Sequence, residues 1–257
     1  HRVVSLDDYS TGTNSNHIEG VKYINGDIEI IEYLAGDYDL CYHIAAQSRV
    51  QPSFDDPTET FRVNVNGTRA VCDWAKNKNV KLIYAGSSSK HHDPTDSPYA
   101  MYKYLGEEVC KLYRKSFDVD IQIARFYNVY GPGESLDEKF GNVIGIWRTK
   151  CFNSEKLPIV GDGEQRRDFT HVDDIVDGLV RISQTDKIHD DAWELGSGVN
   201  YSVNELFGFF EERFKAESEY IPDQKGNYRE TLNTNPDAER YLGWEPKDRL
   251  KDYILSL

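Results

Sequence analysis

The sequence predicts an α/β protein: a doubly wound parallel sheet with helices on both faces, joined to a smaller mixed α/β lobe. Short apolar runs alternate with longer amphipathic ones through the first half, and such strand–helix repetition builds a parallel sheet covered on both sides. Beyond Gly131-Pro132-Gly133 this pattern loosens. The chain's 257 residues, 39% of them hydrophobic and 12% aromatic, suffice for a substantial core.

Taken in order, Arg2–Leu6 reads as a strand closed by the polar turn from Asp7 to Gly12. Val21–Ile24 is a second strand, followed by Gly26-Asp27 and a helical stretch near Ile28–Ala35. Leu40–Ile44 is a third strand, ending at Ala45-Ala46. A long helix then runs from Pro57 to about Lys76, with Phe61, Val65, Val71 and Trp74 on one side. Val80–Ala85 is a strand, Tyr99–Ser116 a helix and Asp120–Phe126 a strand. Helices near Val143–Cys151, Asp173–Ile182 and Asn204–Phe214 and a strand at Leu157–Val160 follow. This divides the chain into residues 1–130, a nucleotide-binding type of sheet domain, and residues 131–257. The second part is mainly a lobe over the carboxyl ends of the strands, with some segments returning to the first.

A net charge of −14 argues against nucleic-acid or anionic-membrane partners. It leaves room for an anionic small ligand held by a few arginines. Cys41, Cys72, Cys110 and Cys151 form no CxxC or metal-ligand pair, so free thiols, a reducing cytoplasm and no metal are expected.

Chemistry concentrates around Tyr99, the only tyrosine followed four residues later by a lysine, Lys103. Residues four apart share a helix face. A neighbouring ammonium favours the phenolate, which can take a hydroxyl proton near neutral pH. Upstream, the apolar run Leu82–Gly86 ends in Ser87-Ser88-Ser89, whose hydroxyls can donate to a substrate oxygen that gains charge. Each feature alone has a plainer reading, as a solvated helix turn and an ordinary serine-rich turn.

Strand, serine, then a Tyr-Lys helix together resemble the short-chain dehydrogenase/reductase superfamily, and further residues resemble its extended branch, the nucleotide-sugar epimerases and dehydratases. Val3–Asp8 is similar to a second Rossmann-like strand whose terminal carboxylate, Asp7 with Asp8, binds the adenosine ribose; an acid there favours NAD over NADP. By the same resemblance Asp27 and Ile28 contact adenine, and Ile44, Ala45 and Ala46 lie against the cofactor. Asn64, Ala85 and Phe126 complete that wall, with Tyr99 and Lys103 serving both NAD and catalysis. Arg125–Pro132 resembles the hinge into a substrate lobe, where Asn128 touches the sugar nucleotide. Asn142, Val143 and Val160 are further substrate positions. Gly161–Asp174 resembles the family's late motif, in which Arg167 binds the diphosphate. Leu242–Pro246 resembles its closing signature. Plainer roles stay open: Asp27 as a helix cap, Asp7 as a turn residue, and Arg167 paired with Asp168 or Asp173. His43 and His171 read as structural.

The resemblance implies an NAD-dependent epimerase that inverts C4 of a nucleoside-diphosphate sugar and acts as a homodimer. Tyr99 and Lys103 move the proton, and Ser87 holds the 4-keto oxygen. Dehydratases and decarboxylases of this branch place acids where Ser88 and Ser89 stand, which favours epimerisation. A 4,6-dehydratase or related reductase, and a non-catalytic nucleotide-sugar-binding fragment, are the competing readings. Three departures matter. The GxxGxxG turn that holds the pyrophosphate would precede Arg2, so the sequence reads as a fragment. The interval between Ser87 and Tyr99 is short and carries His91-His92. The usual arginine before the closing motif is replaced around Gln224 and Lys225, and Thr231 stands at a gate position where a small residue admits an N-acetyl group.

Overall fold

A computed structural model describes residues 1–257. Strand β1 (Val4–Asp7) pairs in parallel with β2 (Lys22–Asn25), Val4 lying opposite Lys22. The helical stretch expected after β2 is a 3-10 helix over Ile28–Tyr33, capped by Asp27. β3 (Leu40–His43) follows, then two short helices, α1 (Val50–Asp55) and α2 (Pro57–Phe61).

The predicted continuous helix to Lys76 is interrupted. Arg62–Gly67 forms a π-helical turn before α3 (Thr68–Lys78). Val63-Asn64-Val65-Asn66-Gly67 is a run of weak helix formers, which lowers the cost of widening the helix there. Phe61, expected to face inward, is exposed and meets the edge of Tyr102.

β4 (Lys81–Ser87), α4 (Pro98–Phe117) and β5 (Ile121–Phe126) complete the first half. Then come β6 (Asn128–Tyr130), α5 (Val143–Phe152), β7 (Leu157–Val160), β8 (Arg166–His171) and α6 (Val172–Gln184). The chain continues with β9 (Trp193–Leu195), β10 (Asn200–Ser202), α7 (Val203–Phe214), β11 (Ser218–Ile221), α8 (Asp237–Leu242) and α9 (Leu250–Ser256).

The central sheet has the order β3-β4-β5-β9, all parallel. Because side chains alternate along a strand, its two faces build separate cores. Leu82, Tyr84, Ile121 and Ile123 pack against Val71 and Ala75 of α3 and Cys110 and Tyr113 of α4. Ile83, Ala124 and Trp193 meet Ile175, Leu179 and Ile182 of α6 on the other face. So α6 and β9, though late in the chain, belong to the first sheet. A third core, around Trp147, Leu157, Ile159 and Phe210, fills the lobe. There β8 joins β6 and β10, and β7 pairs with β11. Gly106 lets α4 lie close to the sheet, since a Cβ there would stand 2.3 Å from the Tyr84 hydroxyl.

β1 and β3 are not hydrogen-bonded to each other. Both instead line one cavity of about 2060 Å³, which runs between them and reaches Val180 of α6. Val176 and Val180 on that helix are 53% and 40% exposed, an uncovered apolar stripe beside the open strand edges. All four cysteines are free; Cys72 and Cys110 approach to 4.0 Å between α3 and α4. No helix is long and apolar enough to cross a membrane.

Candidate active site

Helix α4 begins sharply because Ser97 caps it, accepting the Ala100 N–H at 3.1 Å, and Pro98 sets its first turn. That start places Tyr99 over the carboxyl end of β4. The Tyr99 N–H donates to Ser53 Oγ of α1 at 3.1 Å, which fixes the residue from behind. Its hydroxyl donates to Ser87 Oγ at 3.3 Å. Ser87 also accepts from Ser89 Oγ at 2.9 Å and from the Ser89 N–H at 3.2 Å, as cap of the short turn after β4. Burial raises the Tyr99 phenol above its usual value; the bond to Ser87 and the charge of Arg49 lower it, and Glu107 raises it.

Lys103 corrects the reading from spacing. It lies one turn along the same helix, yet its ammonium donates to the Ala85 carbonyl at 2.6 Å and sits 4.6 Å from the Tyr84 ring centroid. Burial brings it down to about 8, against the pull of Glu107. The side chain is therefore a buried cation braced against β4. The same cavity wall also carries Arg49, which sequence reading passed over. Its signal was faint: one basic residue directly after Ala45-Ala46-Gln47-Ser48 in an acidic chain.

Beneath the site, the fully buried Arg125 binds Glu107 and Glu194, each at 2.8 Å, and the more exposed Asp191 at 2.8 Å. Tyr127 donates to Glu194 at 3.0 Å, and His91 contacts it at 3.0 Å. This network ties α4, β5, β9 and the turn after β4 into one block. His91 and His92 thus turn to different partners, for His92 stacks on Tyr228 with ring centroids 3.8 Å apart. His43 bonds Thr68 at 3.0 Å in the core, and His171 caps α6 through the Asp173 N–H. Both are structural.

The cavity wall joins Asp7, Asp8, Asp27, Ile28, Ile44, Ala45, Ala46, Ala85, Ser87, Tyr99, Lys103, Phe126, Asn128, Arg167 and Thr231. Asp7 ends β1 and Asp8 follows it, and each accepts a backbone N–H from two residues on, at 2.8 Å. Asp27 does double duty: it caps the 3-10 turn and pairs with Arg62 at 2.8 Å, while still facing the cavity. Ile44 is 52% exposed at the end of β3, an apolar surface open to a planar ligand.

Four expected positions stand differently. The buried Asn64 carboxamide grips the backbone of Gln47, accepting its N–H at 2.8 Å and donating to its carbonyl at 2.9 Å, so it shapes the 45–47 turn from behind the wall. Asn142 caps α5 through the Gly145 N–H, Val143 packs into the lobe core, and Val160 lies in β7 paired with Ile221. None of the four lines the cavity. Asn128 does, with its amide donating to the Asp168 carbonyl at 2.9 Å and its oxygen turned free. Arg167 pairs with neither Asp168 nor Asp173; it donates to its neighbour's carbonyl and to Asn227, and burial pushes it down to about 10. Arg229, the guanidinium nearest Gln224 and Lys225, faces away and binds Asp162 at 2.8 Å.

These residues make a long cleft, with carboxylates at one end, a phenol–hydroxyl pair at its centre and a guanidinium at the other. Residues 1–196 match the NAD dependent epimerase/dehydratase family. The chain belongs to this family. Among its members, a UDP-glucose 4-epimerase of Mycolicibacterium smegmatis is 32% identical over 99% of the chain and 88% of its own length. A putative UDP-glucose 4-epimerase of Methanocaldococcus jannaschii is 31% identical over 98% of the chain and 88% of its own. The solved UDP-glucose 4-epimerase of Thermotoga maritima, in complex with UDP-glucose, superposes with a TM-score of 0.90 at 25% identity, covering 98% of this chain and 88% of that one. Membership accounts for the strand-end serine and Tyr-Lys helix meeting in one cleft.

Proposed function

We propose that this member of the epimerase/dehydratase family inverts C4 of a nucleoside-diphosphate sugar through a transient 4-keto sugar, with NAD as its resident cofactor. The observation that carries the reading is the 3.3 Å contact between the Tyr99 hydroxyl and Ser87 Oγ on the cavity wall. As phenolate, Tyr99 takes the C4 hydroxyl proton and later returns it. Ser87 donates to the oxygen as it becomes a carbonyl. Arg167 and the free oxygen of Asn128 tether the nucleotide, so the sugar can present either face. When bound, NAD supplies the hydride acceptor and donor for C4.

The wall fits such a cofactor. Asp7 and Asp8 meet ribose hydroxyls, Ile44 and Ala45 give a flat apolar surface, and the buried Lys103 borders the place beside Tyr99. We also propose that the slot between β1 and β3 takes one further parallel strand, and the bare Val176–Val180 stripe one further helix. A glycine-rich turn joining the two would reach the pyrophosphate. Residues 1–257 alone should then bind NAD weakly by calorimetry, and a chain carrying that strand and turn ahead of Arg2 much more tightly.

Ser88 and Ser89 carry no acid that could move a proton at C5 or C6, and Ser89 Oγ already donates to Ser87. Product analysis tests this directly. UDP-glucose giving UDP-galactose supports the proposal; a keto-deoxy sugar would show a dehydratase, and nucleotide binding without turnover a non-catalytic module. Phe61 of α2 is exposed where it packs on Tyr102 of α4, and Leu112 further along α4 is 54% exposed, apolar surface suited to a second copy; light scattering should give the dimer mass. Free thiols throughout suit a reducing cytoplasm.

A further inference from the structure

Residues 222–228 arch across the cleft. Both ends are fixed in the lobe: β11 pairs with β7 as far as Ile221 opposite Val160, and the Arg229 carbonyl accepts the Arg166 N–H of β8 at 2.9 Å. Between these anchors the chain meets the first domain at three joints. Gln51 of α1 donates from Nε2 to the Lys225 carbonyl at 2.8 Å. Gly226, at φ +72°, lies so close to α1 and to the cap of α4 that a Cβ there would stand 2.9 Å from Val50 Cγ1 and 3.2 Å from Ser97 Cβ. Tyr228 stacks on His92 with the ring planes 8° apart. His92 and Lys225, each in a stretch where the sequence departs from the pattern it resembles, thus serve one bridge between the two parts of the molecule.

The arch lies over Arg167. Asn227 accepts a hydrogen bond from this guanidinium, whose other donation goes to the Arg166 carbonyl at 2.8 Å. A diphosphate reaching Arg167 has to displace a neutral carboxamide oxygen, an exchange that favours the anion because the charge-assisted bond is the stronger. The joints themselves use a main-chain carbonyl, a glycine and a pair of stacked rings. They part without breaking an ion pair, and they can close again over a bound nucleotide. Gln224, Gly226, Asn227 and Tyr228 wall the cavity on that side.

We propose that residues 222–228 form a strap that gates the cleft. The Gln51–Lys225 bond, the Gly226 contact and the His92–Tyr228 stack hold it shut, and a nucleoside diphosphate enters and leaves only when they part, taking Arg167 over from Asn227. The strap opens and closes whether or not a sugar turns over; the identity of its ligand rests on the function proposed above.

Lys225 puts a trypsin site in the middle of the strap, and cleavage there follows the open population when opening is fast relative to cutting. Cleavage after Lys78, at the end of α3, is the internal reference for global unfolding. Followed by mass spectrometry, cleavage after Lys225 should run about fivefold faster or more in Q51A and in H92A than in the wild type, with cleavage after Lys78 unchanged. G226A, which forces a Cβ against Val50 at positive φ, repeats the test if either variant does not fold. Uridine diphosphate should slow the Lys225 cut in the wild type. In stopped flow, mant-labelled uridine diphosphate should both bind and leave H92A faster than the wild type. Equal Lys225 cleavage in wild type and variants, or a rise only in step with Lys78, overturns the strap, as does unchanged association in H92A. Faster Lys225 cleavage in variants of a protein that binds no uridine diphosphate would uphold the strap and sink only the proposed function.

Discussion

Lys103 points its ammonium at the carbonyl of Ala85, 2.6 Å away, although Tyr99 lies one turn earlier on the same helix. An ammonium buried this deeply is held at a cost in stability. Its folded value of about 8 lies below the ordinary 10.5, so the unfolded chain binds the proton more tightly. Stability should therefore rise with pH between about 8 and 10.5, and below 8 the full cost is present. K103M should stabilise the chain by roughly 1–3 kcal/mol at pH 7 in urea unfolding, the lost bond to Ala85 offsetting part of the gain. Its turnover should fall by about 10²-fold or more.

His43 has a consequence of the same sign, but in acid. Burial first, and Lys103 second, bring its folded value to about 3, against an ordinary 6.5. Between those limits the unfolded chain takes a proton that the folded one refuses, so stability falls as pH drops below 6.5. The contribution is at most about 1.4 kcal/mol per pH unit. Urea midpoints of H43N measured at pH 7 and pH 5 should differ less than those of the wild type.

The buried network around Arg125 predicts a large asymmetry. E107A leaves one buried guanidinium short of its partner and should destabilise by about 3–5 kcal/mol. E107Q keeps one acceptor oxygen for Arg125 and should be milder. Thermal unfolding of the two variants checks the order.

Thr231 is buried in the cavity wall, where it accepts from the Asn128 amide at 3.3 Å. T231Y should exclude UDP-N-acetylglucosamine while leaving UDP-glucose within about tenfold of its wild-type kcat/KM. A competition assay with both sugars measures this, and equal loss for the two would refute it.

The sheet and its helices were legible because β4 carries a continuous apolar run and β5 is mostly apolar, broken only by Gln122 and Arg125, and the helices between carry clear periodicity. Strands β6, β8, β9 and β10 were not, since three- to six-residue stretches such as Arg166–His171 carry no apolar alternation. The break at Arg62–Gly67 escaped because periodicity cannot distinguish a π turn from the α-helix around it. Within the site, the Ser87–Tyr99 meeting was what the family resemblance of strand, serine and Tyr-Lys helix implied. The orientation of Lys103 did not, because helical spacing places a side chain on a face without choosing its partner. Asn64 and Asn142 were read as ligand contacts, but a carboxamide also suits a cap or a backbone clasp, and the turns nearby needed one. Arg49 directly precedes a helix of six residues that no pattern announced.

The most direct test is C4 inversion itself, followed by NMR of UDP-glucose incubated with NAD-loaded protein extended by the strand and glycine-rich turn. The wild type should build UDP-galactose to equilibrium, Y99F should lose at least about 10³-fold in kcat, and S87A about 10²-fold. A Y99F protein that inverts C4 at the wild-type rate would contradict the account.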